Sequence, residues 1–166
     1  MTEIIDRIRT SLVGLRMPRA LEVLDHTMRC LERGEMTALE AIDILLSHEH
    51  GNRESRRFTV GLKTSRLMPM KTLEGFDFSF QPSLDRGRIL ALAQLDFIER
   101  GEVVHLLGPP GTGKSHLATA LGAEAVRAGK RVYRASLAEV IDMLVRAERD
   151  GRLPERLRFF NRNTLL

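Results

Sequence analysis

The feature that most constrains this sequence is a glycine-rich segment, Gly108-Pro109-Pro110-Gly111-Thr112-Gly113-Lys114-Ser115. It satisfies the pattern G-x-x-x-x-G-K-[ST], which is typical of a phosphate-binding loop. Glycines permit backbone conformations that other residues avoid, so that successive N–H groups converge on one phosphate. An apolar run at residues 103–107 precedes the loop and a stretch of helical periodicity at residues 114–128 follows it. A helix that begins there adds its positive dipole end to the same point, and the segment therefore predicts a phosphate site.

Two side chains at the end of the loop supply the charge and the metal ligand. Lys114 is expected to reach the β- and γ-phosphates, and the Ser115 hydroxyl to complete a Mg²⁺ shell otherwise made of phosphate oxygens and water. His116 follows directly, and its type and position favour packing within the first helical turn over a role as a base. The predicted nucleotide-binding residues are Gly108, Pro109, Pro110, Gly111, Thr112, Gly113, Lys114, Ser115 and His116, with Ser115 as the metal ligand.

No catalytic residue is assigned from the sequence. Hydrolysis by folds of this type needs an acidic residue at the carboxyl end of a neighbouring strand. The acids after the loop fall in predicted helices or helix ends: Glu124, Glu139, Asp142, Glu148, Asp150 and Glu155. A third predicted strand, residues 164–166, has barely begun where the sequence stops. We therefore expect a chain truncated before the acid-bearing strand, and the alternative is a nucleotide binder that does not hydrolyse.

Changes in the residue pattern along the sequence predict three parts. Residues 1–70 carry apolar stripes at helical spacing and predict a small all-helical module. Residues 71–82 predict an extended linker. Residues 83–166 contain the loop and predict the first part of an α/β nucleotide-binding domain.

Local signals mark the ends of several helices. Pro18 suits the first turn of a second helix, and Gly34 is placed to end it. Thr37 and Glu40 have the spacing of a capping box that opens a third helix. In the linker, alternating phenylalanines indicate an extended segment: Phe76, Phe78 and Phe80.

The region after residue 82 has the alternation of a parallel α/β fold. Short runs of β-forming residues predict strands at 103–107 and 131–135, with the third beginning at residue 164. Strands that alternate with helices form parallel sheets, so we predict a P-loop fold with a parallel sheet, incomplete in this chain. The predicted helices are one capped by Ser83 and ended by Gly101, one at residues 114–128, one opened by a Ser136–Glu139 capping box, and one from Pro154 to about Phe160.

Composition narrows the function classes. The longest apolar runs are far shorter than the roughly 20 residues of a membrane span, and the amino end lacks a signal-peptide core, so we expect a cytoplasmic protein without a membrane partner. The single cysteine, Cys30, excludes an internal disulfide framework.

From Arg127 onward there are ten Lys and Arg residues against five Asp and Glu residues. This arginine-rich excess allows a polyanionic partner such as duplex DNA, and the candidates for a DNA-facing patch are Arg146, Arg149, Arg152, Arg156 and Arg158. A solvated helix face with interleaved Glu148 and Glu155 explains these arginines equally well.

The residues around the loop resemble the IstB-like ATP-binding proteins. The resemblance rests on Leu106-Leu107 with the loop and His116-Leu117-Ala118, on residues 71–78, on residues 98–102 and on residues 148–153. These proteins are the helper ATPases of bacterial insertion sequences, related to the bacterial helicase loaders within the AAA+ class. The likeness covers nearly the whole chain.

The resemblance implies ATP binding, self-assembly on DNA with ATP, and delivery of target DNA to a partner transposase. It implies an AAA+ ATPase domain whose acid-bearing strand, sensor residues and arginine finger lie beyond Leu166. It also implies that Phe76, Phe78 or Phe80 lies near the adenine base, whereas alternating aromatics are more often core residues.

Three other functions remain open at this stage. A helicase loader of the same superfamily shares the same features. A small P-loop kinase is disfavoured because about 107 residues precede the loop, where a kinase carries its loop near the amino end. A nucleotide-binding assembly module without catalysis is the third alternative.

Overall fold

The computed structural model describes residues 2–166, which fall into two compact units that meet between Arg57 and Phe58. The boundary lies inside the third helix. The helices are α1 (Thr2–Gly14), α2 (Pro18–Glu32), α3 (Ala38–Thr64), α4 (Arg86–Leu92), α5 (Asp96–Glu99), α6 (Lys114–Arg127), α7 (Leu137–Arg149) and α8 (Leu153–Asn161). Within these residues, no helix has the length and apolar character needed to cross a membrane.

The first unit is built from the amphipathic helices that the apolar stripes predicted. α1 packs against α2, and their buried residues are Leu12, Ala20 and Leu24. The capping box at the start of α3 is confirmed, because the Thr37 N–H donates to Glu40 Oε2 (2.7 Å) and the Glu40 N–H donates to Thr37 Oγ1 (3.3 Å). The local sequence therefore determines where α3 begins.

Two side chains of α3 hold the turn between α1 and α2. The Glu49 carboxylate is buried and accepts a hydrogen bond from the Arg19 N–H (3.0 Å) at the start of α2. Arg53 pairs with Glu49 (3.0 Å) and donates to the carbonyl of Leu15 (3.0 Å) at the end of α1. One ion pair thus satisfies the amino end of one helix and the carboxyl end of another.

α6 is the most buried helix of the second unit. Leu117, Ala120 and Leu121 pack in one apolar cluster with Leu73 and Ile89. Residues farther along α6 pack in a second cluster: Ala123, Ala125 and Val126, together with Leu62, Leu67 and Phe97. The apolar contacts in both clusters hold α6 in place. They therefore also hold the end of the loop that precedes α6.

The predicted parallel sheet is not seen within residues 2–166. Val132 and Leu165 form a parallel bridge there, outside any strand. Beside it, the Tyr133 N–H donates to Leu165 O (3.1 Å) and the Thr164 N–H donates to Arg131 O (2.7 Å). The predicted strands at 131–135 and 164–166 therefore meet in the expected parallel sense, without becoming strands.

The remaining predicted strand, residues 103–107, does not form. In the described part of the chain it makes no backbone hydrogen bond, and Val103 and Leu107 are 77% and 89% exposed. A strand exists through hydrogen bonds to a neighbouring backbone, and no backbone among residues 2–166 pairs with this run. Apolar composition alone was therefore insufficient for the prediction.

Two further predictions are wrong in detail. The helix expected between Ser83 and Gly101 is interrupted, because Leu95 adopts a left-handed conformation (φ 69°) between α4 and α5. Asp85 rather than Ser83 caps α4, accepting from the Arg88 N–H (3.2 Å). In the linker, residues Phe78–Phe80 form one 3₁₀ turn instead of an extended segment.

Candidate phosphate-binding site

The glycine-rich loop ends where α6 begins, at Lys114. Gly111 and Gly113 have φ values of 81° and 84°, a left-handed conformation that side-chain-bearing residues rarely adopt. Gly113 carries a second constraint, since a Cβ there would lie 2.5 Å from Cε2 of Phe76. Both conformation and space therefore require glycine at position 113.

The start of α6 presents backbone donors that the described chain leaves without acceptors. The first backbone hydrogen bond of the helix runs from the Leu117 N–H to Gly113 O (2.9 Å). The preceding N–H groups, of Lys114, Ser115 and His116, donate to no protein group within residues 2–166, and Gly113 has no side chain to cap them. Orphan donors at a helix start attract anions, so this donor set fits a phosphate.

The Lys114 ammonium lies over its own loop. Its Nζ donates to Pro109 O (2.6 Å), and Thr112 Oγ1 donates to the same carbonyl (2.9 Å). The side chain of Lys114 therefore stays at the mouth of the loop. It borders a cavity of about 870 Å³ that Asp85 and Arg88 also line.

The Ser115 side chain is exposed and has no hydrogen-bond partner in the described part of the chain, so its oxygen is free to act as a ligand. No group of three or more His, Cys, Asp or Glu residues within residues 2–166 is placed to hold a metal. Glu139 lines the same cavity of about 900 Å³ as Ser115. Its carboxylate is engaged, however, with the Ser136 N–H (2.8 Å) and with Arg66 (3.1 Å). The hydrogen bond from the Ser136 N–H, followed by that from its hydroxyl, holds the pKa of Glu139 below its usual value.

His116 packs at the start of α6, as its position in the sequence indicated. Its Nε2 lies 2.9 Å from the carbonyl oxygen of Thr72, so Nε2 carries the proton and donates. The ring of Phe76 meets the imidazole edge-on, with centroids 5.3 Å apart. The Thr72 carbonyl is a partner that sequence reasoning missed, because a backbone oxygen 44 residues away leaves no signal in residue types.

The three phenylalanines of the linker have different environments. Phe76 and Phe78 are partly buried, contact each other edge-on (4.9 Å) and pack on the cluster of Leu73 and Leu117. Phe80 is 76% exposed. Phe76 and Phe78 thus match the interpretation as core residues, and Phe80 does not.

The arginines of α7 and α8 are not equivalent. Arg146 pairs with Asp142 (2.9 Å) and Arg158 with Glu155 (3.6 Å). Arg156 is half-buried and lies over the ring of Phe159. Within residues 2–166, the exposed arginines of this region without an ion-pair partner include Arg149, Arg152 and Arg162.

Comparison with known proteins gives a consistent result. A protein of Pseudomonas aeruginosa, named as an ATP-binding protein of insertion sequence IS21, is 46% identical over 135 residues, covering 80% of this chain and 51% of that protein. A protein of Geobacillus stearothermophilus, named for insertion sequence IS5376, is 40% identical over 122 residues, covering 74% of this chain and 49% of that protein. A Bacillus thuringiensis protein, named for insertion sequence IS232, is 29% identical over 160 residues, covering 96% and 64%.

The chain thus spans about half the length of the first two relatives. The family model described as "IstB-like ATP binding protein" matches residues 10–166, which include the loop, α6 and the linker phenylalanines. With its glycine-rich loop at the start of α6, this chain belongs to the family of IstB-like ATP-binding proteins.

Proposed function

We propose that this chain binds ATP together with Mg²⁺ at the loop of residues 108–115. The observation that carries the proposal is the set of open N–H donors at the start of α6, next to the Lys114 ammonium. A triphosphate offers enough oxygens to accept from both, and its charge complements both the helix dipole and the ammonium. Ser115 supplies one ligand to Mg²⁺, and the phosphates and water supply the others.

The test is isothermal titration calorimetry of the full chain with ATP and MgCl₂. Lys114→Ala is expected to weaken binding by about 2–5 kcal/mol, because a charge-assisted contact to phosphate is lost. The matched control is Lys63→Ala, which removes the same charge from an exposed position near the end of α3. Equal affinity of the wild type and the Lys114 variant would refute the assignment.

The wider role that we propose is that of a helper ATPase in the transposition of an insertion sequence. The family membership and the names of the relatives support this role. In it, the full-length protein assembles on duplex DNA with ATP and delivers that DNA to a partner transposase. An ATP-dependent increase in sedimentation coefficient on long duplex DNA, and co-sedimentation of the transposase, are the expected results. Binding of the transposase without any requirement for ATP or DNA would contradict the order of assembly.

The DNA contact that we propose is made by arginines at the α7–α8 end of the chain. Arg149, Arg152 and Arg162 are exposed and unpaired in the described residues, so their charge is available to phosphates. Arg146 and Arg158 already have carboxylate partners. Contacts to phosphates position a protein on DNA without reading its sequence, and little sequence preference is expected.

This contact is tested by anisotropy titrations of the full-length protein on duplex DNA over a series of salt concentrations. Replacing the three unpaired arginines with alanine is expected to weaken binding equally on unrelated sequences. It should also reduce the slope of log K against log salt by about 0.9 for each lost contact. The matched control replaces exposed arginines of the first unit: Arg7, Arg29 and Arg56. If the control reduces the slope as much, the α7–α8 arginines are not the DNA surface.

A further inference from the structure

The linker lies against the phosphate loop through one short segment, residues 72–78, which we call the strap. Two internal hydrogen bonds shape it: the Gly75 N–H donates to Thr72 Oγ1 (3.1 Å) and the Phe76 N–H donates to Leu73 O (3.2 Å). The buried side chain of Leu73 anchors it in the cluster around α6. The strap is therefore an ordered segment with amide groups that can report on its order.

The contact between the strap and the loop depends on two residues of the site. His116 Nε2 donates to the Thr72 carbonyl (2.9 Å), and the imidazole meets the Phe76 ring at an interplanar angle of 81°. The same ring occupies the space that a side chain at position 113 would need. Phe76 therefore meets Gly113 and His116, the two residues that flank Lys114 and Ser115.

This arrangement means that the strap and the start of α6 hold each other in place. In the sequence, Lys114 and Ser115 lie between Gly113 and His116, the two residues that the Phe76 ring meets. Any displacement of the strap moves its contacts with Gly113 and His116, and any tightening of the loop around a ligand restrains the strap. A hydrogen bond between the two segments, rather than apolar contact alone, gives this coupling a fixed geometry.

We propose that His116 is a positioning residue, which joins the strap to the phosphate loop through the Thr72 carbonyl so that binding of a nucleoside triphosphate restrains the strap further. The inference rests on the proposed nucleotide binding at the loop. Because coupling between two sites is reciprocal, an ordered strap also strengthens binding at the loop. The His116 side chain acts on the nucleotide through the Thr72 carbonyl of the strap, not by direct contact with it.

The test is hydrogen–deuterium exchange of the full chain with and without MgATP. The amides of Gly75 and Phe76 report on the strap, and those of residues 111–114 report on the loop. In the wild type, MgATP is expected to slow exchange in both segments, in the strap by about fivefold or more. His116→Gln keeps an N–H donor and is expected to retain the effect in the strap.

His116→Leu removes the donor, and at MgATP concentrations that saturate the variant it is expected to keep loop protection while strap protection by MgATP falls below about twofold. Phe76→Leu removes the ring that meets Gly113 and His116. It changes the strap's own part of the contact and is also expected to reduce strap protection by MgATP. The control is His48→Leu, the same change at an exposed position of α3, which should behave as the wild type. A purely structural role for His116 would lower the melting temperature without changing the difference that MgATP makes.

Two results would overturn the inference while leaving nucleotide binding intact. One is full strap protection by MgATP in His116→Leu. The other is a wild type in which the loop is protected and the strap is unaffected. If MgATP protects neither segment in the wild type, the proposed nucleotide function fails and the inference fails with it.

Discussion

The amino ends of two helices in this protein carry N–H groups that need a hydrogen-bond acceptor, and the two ends differ in whether the protein provides one. α2 begins after Met17 and α6 begins after Gly113, and neither cap residue supplies a side-chain acceptor. At α2, the buried Glu49 carboxylate accepts from the Arg19 N–H and neutralises the helix end. At α6, the corresponding N–H groups have no protein acceptor in the described chain.

The difference separates a structural anion from the proposed ligand site. A carboxylate fixed by the fold at α2 satisfies the helix start permanently, and Arg53 balances its charge (3.0 Å). Although burial acts to raise the pKa of Glu49, hydrogen bonds from Arg53 and the Arg19 N–H outweigh it, and the pKa lies below its usual value. At α6, Gly113 offers no side-chain acceptor and no other described residue supplies one, which is why we propose that an external anion binds there. Open donors, rather than the presence of a helix start, distinguish the proposed phosphate site.

The largest effect is expected from a side chain added at the α6 start. Gly113→Ala meets a left-handed φ of 84° and the Phe76 ring at 2.5 Å. Strain and overpacking together should lower the free energy of unfolding by about 2–5 kcal/mol and abolish ATP binding. Urea denaturation and calorimetry measure the two effects.

Gly111→Ala is the matched control for that prediction. Its φ of 81° is similar, but nothing lies within 4 Å of the added Cβ. The expected loss is therefore the conformational strain alone, about 1–2 kcal/mol. Equal losses at the two positions would show that the Phe76 contact does not constrain the loop.

An intermediate effect is expected at the α2 start. Glu49→Gln leaves Arg53 without its carboxylate partner and weakens the acceptor for the Arg19 N–H, so the melting temperature should fall by about 5 °C. Differential scanning calorimetry measures the change, with Glu54→Gln, an exposed change on the same helix, as the control. ATP affinity should stay unchanged. A loss of ATP binding in Glu49→Gln would erase the distinction between the two helix starts.

The smallest effect concerns the capping box of α7, where a local carboxylate helps to satisfy the helix start. The Ser136 N–H and hydroxyl hold the pKa of Glu139 below its usual value. A lowered pKa in the folded state means that this stabilisation is complete above the usual glutamate pKa. It is lost as the pH falls through the lower folded-state value. Urea midpoints measured at decreasing pH should therefore decline less in Glu139→Gln than in the wild type.

Glu148→Gln on the same helix serves as the control, since Glu148 is exposed and lies outside the capping box. Its acid dependence should match that of the wild type. An identical acid dependence in Glu139→Gln would instead show that the capping box contributes nothing to stability over this range.

Much of the site follows from the sequence because its determinants are local. The loop pattern requires glycines within a few residues of Lys114, and their positive φ values agree with that requirement. The capping boxes at Thr37 and Ser136 depend on residues three positions apart, which face each other in any helix. Interactions over three or four residues can be read from spacing alone.

The sequence by itself determined the position of the glycine-rich loop, the helix that follows it and the helices of the first unit. The tertiary structure alone decided which partners meet over long separations: Arg19 with Glu49, 30 residues apart, and Thr72 with His116, 44 residues apart. It also decided that residues 103–107 are not a strand, since a strand depends on a neighbouring backbone and not on its own composition. Local propensity acts within a few residues, whereas pairing across the chain depends on how the helices and loops pack.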